Sequence, residues 1–533
     1  MNTRKLSAIA VIGVTGLLLA ACTSGGGDSE AADADYIDGA TVRVALSGAP
    51  GSLSPLTQSG LAAHIINAYS YDTVVATNAD GEVVSNLADT WEFDGTVASF
   101  HIIEGITCSD GSDLTPTVIA NNFEWHKNTE NGSAKLGAAF GGSTDFEVEA
   151  DDDASTVVVT LGSTNSAFLY QLQFLPIVCQ AGLDDPESLA TTTIGTGPYV
   201  VTSVDQDVSY TFEAREGYTW GADGVTSADA GFPAELEVSI VTDSSTRANM
   251  LISDEVDLIQ VVNADDIERL TAQDYNTASG FIGGSAGQLW LNHNSGHATS
   301  SDEFRIALAQ GVNWDDVMNV LTGGQGTRPN GLAQNTPTVC SENPSVTESE
   351  PGYDVDAANA ILDELGYTKG SDGVRTNPDG SALTLTLLTT AATAAQTSAT
   401  ELVTSSLSEN LGITVTAEAS EYAALYERLT TTDSWDLGWS AWGYGMPSQY
   451  RGFFVPGSSL NFAGIDNAEY TELASEALAS VGDDTCELWG EAEAALWSNA
   501  DIISVARYSQ IVFGSGATSD AIMSPESIRA VAK

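Results

Sequence analysis

The strongest constraint on the fold is the order in which two hydrophobic periods follow one another along the chain. Segments of period two, such as TVRVAL (41–46), AELEVSIV (234–241), GQLWLNHN (287–294), ALTLTLLTT (382–390), ITVTAEA (413–419) and WDLGWSAW (435–442), read as strands. Short strands are also expected at 256–261 and near 507–513. Helical spacing occupies 60–75, 244–253, 264–271, 303–322, 354–366, 393–411, 420–430, 467–480 and 484–498. Hairpins interrupt this alternation at 145–163 and 195–216, and tight turns are expected at Asp94-Gly95 and Asp110-Gly111. Strands and helices in this order, broken by hairpins, specify an α/β fold with mixed sheets rather than a simple parallel barrel. No repeat of fixed period and no long linker divides the chain after residue 40, so its domains must form by the chain crossing between lobes.

The amino end is different. Arg4 and Lys5 precede an apolar run, Leu6 to Ala21, diluted by Gly13, Thr15 and Gly16. Spanning a bilayer takes roughly 20 apolar residues, and this run is shorter. A basic start, a short apolar middle and small residues describe a secretory signal peptide over 1–21. Leu19-Ala20-Ala21-Cys22 resembles the lipobox of bacterial lipoproteins, which implies an acylated Cys22 after cleavage. The segment that follows, 22–40, is rich in small and acidic residues and reads as a disordered tether. The mature chain is expected on the extracytoplasmic face of the cell membrane, held by its lipid alone.

Charge excludes one class of partner. With 73 Asp and Glu against 17 Lys and Arg, the formal net charge is −56. Such a field repels nucleic acid and leaves counterion release little to act on. The acids are scattered, which suits a hydrated surface, and the run Asp151-Asp152-Asp153 reads as a solvated turn rather than a calcium site.

Catalytic motifs do not emerge. There is no Gly-x-Ser-x-Gly turn, P-loop or His-Glu-x-x-His. His293 and His297 are four apart but lie in NHNSGHATSS, a poor helix, so no metal is assigned to them. No enzymatic activity, cofactor or metal is expected. One stretch stands out: WDLGWSAWGYGMPSQY (435–450) interleaves three Trp and two Tyr with Gly and Ser. Aromatic side chains on a glycine-rich loop past a strand suit a stacking wall for a ligand.

Ordered pieces of the chain then resemble one family. TVRVALSGAPGSLSPL, NLADTWEFDG, GITCSDGSDLTP, GTGPYVV, DSSTRANMLISDEVDL, FRIALAQGVNWDDV and YDVDAANAILDELGYTKGSDGV are similar, in sequence order, to segments of the extracytoplasmic solute-binding proteins of ABC importers. The class is the one holding oligopeptide, dipeptide and nickel receptors. Two departures occur: Ser253-Asp254 stands where Gly is usual, and Asn313-Trp314 replaces an Asp-Arg pair. The resemblance implies a two-lobed periplasmic-binding-protein-like fold with a third subdomain inserted in the first lobe. It implies lobe I at 41–75, 195–284 and 497–533, the insert at 76–194, and lobe II at 285–496. Of three possible pairings of the remaining cysteines, Cys108 with Cys179 and Cys340 with Cys486 keeps each pair within one expected domain.

By the same resemblance the protein is a receptor that closes on a peptide or similar solute and delivers it to ABC permease and ATPase subunits, acting as a monomer. Ligand contacts map to Gln58, Leu61, Gln260, Ser285 and Gln288, and from the aromatic loop to Trp439, Trp442 and Tyr444. Peptide-binding members hold the ligand's amino group on an Asp shortly after a Gly-Trp pair. Here Gly438-Trp439 is followed by Ser440, Ala441 and Trp442, so Trp442 takes that place. A neutral oligosaccharide or other non-peptide solute is therefore the alternative ligand, and a non-transport surface sensor or adhesin the alternative of another class.

Overall fold

The strand Thr41–Leu46 runs parallel between Glu235–Ile240 and Leu258–Val261. A parallel strand in that place must be covered on both faces. Val42, Val44 and Leu46 accordingly enter one core, and Ala45 joins Ile259 and Phe513 in another. The full sheet has seven strands, in the order Asn276–Gly280, Gln510–Gly514, Leu258–Val261, Thr41–Leu46, Glu235–Ile240, Ser209–Ala214 and Tyr199–Asp205. The expected hairpin at 195–216 supplies its last two strands.

The computed structural model describes residues 35–533 except 59, 79–80, 134, 141–142, 281–285, 335–339, 341–342, 391–392, 481–484 and 521–522. The expected signal peptide, Cys22 and most of the tether lie outside the described residues, as does Ser285. No helix among the described residues is long and apolar enough to cross a membrane.

A second sheet, of four antiparallel strands, orders Ala88–Phe93, Val97–Ile102, Thr156–Leu161 and Phe146–Asp151. Phe100, Val157 and Val159 bury one face against the helix Pro116–Lys127, whose Ile119 and Phe123 share that core. Thr115 starts this helix by accepting the Val118 N–H, with Pro116 in the first turn. The acid run is a turn: Asp151 Oδ1 accepts the N–H groups of Asp153 and Ala154 at 3.0 Å. The Cys108–Cys179 disulfide ties this region across 71 residues.

The third sheet orders Thr414–Ser420, Thr384–Thr390, Leu437–Ser440, Gln288–Leu291 and Ile502–Ser504. Alternation along one strand divides its two cores: Leu289 and Leu291 enter one, and Trp290 the other. Ile502–Ser504 pairs with Gln288–Leu291, and the chain passes from this sheet back to the first between Ser504 and Gln510. The Cys340–Cys486 disulfide spans 146 residues here. Both disulfides match the pairing expected from the sequence.

Three local expectations are corrected. The span 303–322 holds two helices, Asp302–Gln310 and Trp314–Thr322, because the Asn313 side chain accepts the Asp315 and Asp316 N–H groups and begins a new helix. Pro344–Ser349 and Pro447–Phe454 are further helices, each opened by proline. The strand expected over 435–442 is regular only over Leu437–Ser440.

Candidate functional site

The chain leaves the third sheet after Ser440 and crosses Ala441–Met446 before the helix Pro447–Phe454. Two glycines, Gly443 and Gly445, favour departure from strand geometry. What holds this loop is a side chain. Gln288 is fully buried, and its Nε2 donates to the Trp442 carbonyl at 2.9 Å while its Oε1 accepts the Trp442 N–H at 3.0 Å. Tyr450 adds a second brace, its hydroxyl donating to the Trp442 carbonyl at 2.9 Å and accepting the Tyr444 N–H at 3.1 Å.

These braces present an aromatic shelf. Trp442 is half-buried, with ring centroids 4.8 Å from Phe453 and 5.3 Å from Tyr426, and its indole N–H donates to Ser440 Oγ at 2.8 Å. Tyr422 and Tyr426 remain exposed. The Tyr444 pKa is raised, first by desolvation and then by Tyr422 and Tyr426, so these three phenols lie near one another. Beneath the loop, the Gln334 N–H donates to the Tyr444 carbonyl at 2.9 Å. Gln334 is fully buried, yet neither end of its carboxamide has a partner among the described residues. A buried amide left with an open donor and acceptor is costly, and here it marks a residue that the sequence reading missed; the only signal was its glutamine in an apolar stretch, GLAQ.

Next to the shelf along the chain is a cavity of about 520 Å³. Trp91, Phe93 and Tyr170 line it from the four-stranded subdomain, and Met446, Pro447 and Trp489 from the third-sheet side, with the Cys340–Cys486 disulfide at its edge. Ser166 joins the same two regions directly: its N–H donates to the Leu478 carbonyl at 3.3 Å and its hydroxyl to the Ala477 carbonyl at 3.1 Å.

The residues expected to touch ligand are distributed unevenly. Trp442 and Tyr444 lie on the shelf. Trp439 lies in the core beneath it, 2 % exposed, its indole N–H donating to the Ala286 carbonyl at 3.2 Å. Its place at a strand position facing Leu289 puts it among the apolar side chains rather than on the cleft surface. Gln288 positions the loop with its amide. Gln58 and Leu61 are half-buried at the start of the helix Leu61–Ser70, and among the described residues neither bonds to the aromatic loop. Gln260 is buried in the first sheet opposite Val512. His297 and His293 brace loops: His297 Nδ1 lies 2.9 Å from Asp436, and His293 Nε2 3.2 Å from the Asp501 carbonyl.

Comparison with known proteins follows this geometry. Residues 82–462 match the family described as bacterial extracellular solute-binding proteins, family 5 middle. The chain is 28 % identical over 317 residues to the dipeptide-binding protein of Escherichia coli K12, covering 54 % of this chain and 56 % of that one, so the match spans little more than half the relative's length. It is 25 % identical over 399 residues to heme-binding protein A of Haemophilus influenzae, covering 69 % and 70 % respectively. A substrate-binding protein of Microbacterium hydrocarbonoxydans, solved with 4-hydroxybenzoate hydrazide, superposes with a TM-score of 0.69 at 26 % identity, covering 92 % of this chain and all of that one. The three large sheets and the family match together place the chain among the family 5 extracellular solute-binding proteins of ABC transporters.

Proposed function

We propose that this protein is the lipid-anchored receptor of an ABC importer, capturing a peptide or similar small solute between its lobes and presenting the closed form to the permease. Closure requires no reaction: the solute biases an open–closed equilibrium by binding one state better. The observation that carries the reading is the aromatic shelf of Trp442 and Tyr444, held by Gln288, beside a cavity lined from both sides. Relatives named for dipeptides and heme, and a neighbour solved with an aromatic hydrazide, support a small solute with flat or apolar groups. Gln58, Gln260 and Gln334 are assigned the opposing and flanking polar contacts, and Leu61 an apolar one.

A neutral oligosaccharide is the second reading. The loop Ala441–Met446 carries rings and no carboxylate for a peptide's amino group, which favours it. Mass spectrometry of whatever co-purifies, followed by calorimetry with dipeptides and oligosaccharides, decides between them. A protein that retains neither is not this kind of receptor. The anchor is tested by Cys22→Ser, which should release the protein to the medium; a variant that stays on washed membranes rules the anchor out.

A further inference from the structure

The cavity beside the aromatic shelf lies where two separate hydrophobic cores come to the surface. In the four-stranded subdomain, Trp91 and Phe93 stand two positions apart on Ala88–Phe93, so both side chains leave the same face of that strand. That face belongs to the subdomain's core, but the strand is the edge of its sheet, and both rings are only half-buried. Val83 and Leu169 pack against the same core, are half-buried too, and line the same cavity. Across it stand Trp489, from the core that holds Trp290, and Met446, 3 % and 2 % exposed. Apolar surface left half-covered beside such a gap gains free energy from an apolar group that fills it.

The two walls are held to one another. Ser166, which also lines the cavity, makes its two hydrogen bonds to the carbonyls of Ala477 and Leu478. Those carbonyls end the helix Ala468–Ala479, where intrahelical donors run out. The contact satisfies groups that either region alone would leave to water, and it fixes the cavity between them.

The chemistry of the lining selects the occupant. Its rings are Trp91, Phe93, Tyr170 and Trp489, and Met446 with the Cys340–Cys486 disulfide adds polarizable sulfur. Rings and sulfur both favour an aromatic ring over a saturated one of similar size. Among the described lining residues the one charged side chain is Glu82, which is exposed and accepts from the Asn78 amide at 3.2 Å. No lysine, arginine or histidine is among them, so an anion here would lose its hydration with no cation in return. A volume of about 520 Å³ suits a small-molecule site.

We infer that this cavity is the subsite for an uncharged aromatic group of the captured solute, with the four-stranded subdomain as one of its walls. The inference rests on the receptor reading above. The shelf of Trp442 and Tyr444 leads into it through Met446, so one solute can lie on the shelf and place its ring in the cavity. The aromatic side chain of a peptide and the aryl group of a glycoside share this chemistry.

The test uses the purified soluble protein and calorimetry with naphthol, its saturated analogue decahydronaphthol, and naphthoate. Naphthol should bind, with the saturated analogue roughly 2- to 10-fold weaker and naphthoate at least about 10-fold weaker. No binding of naphthol, or equal or tighter binding of either analogue, overturns the subsite. Two further probes carry the same ring: alanyl-naphthylalanine, with alanyl-alanine as control, and naphthyl glucoside, with methyl glucoside as control. The carrier that binds more tightly than naphthol alone assigns a peptide or a glycoside. Tightening by neither would put the cavity outside the solute's path and overturn the inference. Ala167→Phe and Thr485→Phe fill the cavity from opposite walls, and each should weaken naphthol binding about 10-fold or more, with melting checked. Folded variants that bind naphthol as wild type does overturn the assignment, and if neither folds, the wild-type comparison decides. The receptor reading fails separately, when no solute of any kind co-purifies.

Discussion

Gln288 and Trp442 pair as two strand residues would, except that one partner is a side chain. The Gln288 carboxamide donates at 2.9 Å and accepts at 3.0 Å, closing the ring that a backbone amide would close. It stands on a strand whose last ladder partner is Ser440, so it extends the ladder past the point where the loop leaves the sheet.

Gln288→Leu should therefore act on the loop before it acts on ligand. It leaves the Trp442 N–H and carbonyl with one fewer partner in a buried setting, at a cost of about 1–3 kcal/mol. Urea denaturation reads the loss, and quenching of tryptophan fluorescence by iodide should increase as Trp442 loosens. Unchanged stability and quenching would show that Tyr450 alone holds the loop.

Trp439 and Trp442 should separate stability from binding. Trp439→Ala empties a core position and should cost about 3–5 kcal/mol. Trp442→Ala, on a half-buried ring, should cost less stability and weaken solute binding by about 1–3 kcal/mol. Calorimetry with the co-purifying solute checks the second figure. An affinity unmoved by Trp442→Ala would remove the shelf from the binding surface.

Both disulfides close long loops, joining cysteines 71 and 146 positions apart in sequence. In the chain-entropy account each contributes on the order of 3–5 kcal/mol. Non-reducing peptide mapping should recover Cys108 with Cys179 and Cys340 with Cys486, and reduction should lower the melting temperature. Cys340 and Cys486 also border the cavity, so Cys340→Ser with Cys486→Ser should weaken binding as well as stability.

Glu493 makes stability depend on pH. Its carboxyl is 3 % exposed, Oε2 accepts the Leu332 N–H at 3.1 Å, and Oε1 has no partner among the described residues. Desolvation raises its pKa from 4.5 to about 8. Between those values the folded chain keeps a proton that the unfolded chain has released, so this contribution is complete below pH 4.5 and is lost as pH rises through 8. Glu493→Gln stays neutral and should be more stable than wild type at pH 9 by about 1–3 kcal/mol, with little difference near pH 4. Equal stability of the two proteins at pH 9 would show that the carboxylate is accommodated.

The family was legible because its signature is local. The turns around Asp94-Gly95 and Gly195–Pro198, the capped helix after Asp354 and the alternating strands each follow from a few neighbouring residues, and their order along the chain specifies α/β with mixed sheets. The cysteine pairs were legible too, once the expected domains divided them. The aromatic loop at 435–450 was visible as composition, but not which ring faces where. Trp439 and Trp442 are three residues apart in one glycine-rich stretch, and only pairing with Leu289 on one side and the Gln288 brace on the other sends one into the core and leaves the other on the shelf. Gln334 carried only a faint signal, a glutamine in an apolar stretch. A buried carboxamide without a partner is defined by what surrounds it, and those surroundings are brought together from distant parts of the chain only when the sheets and helices pack.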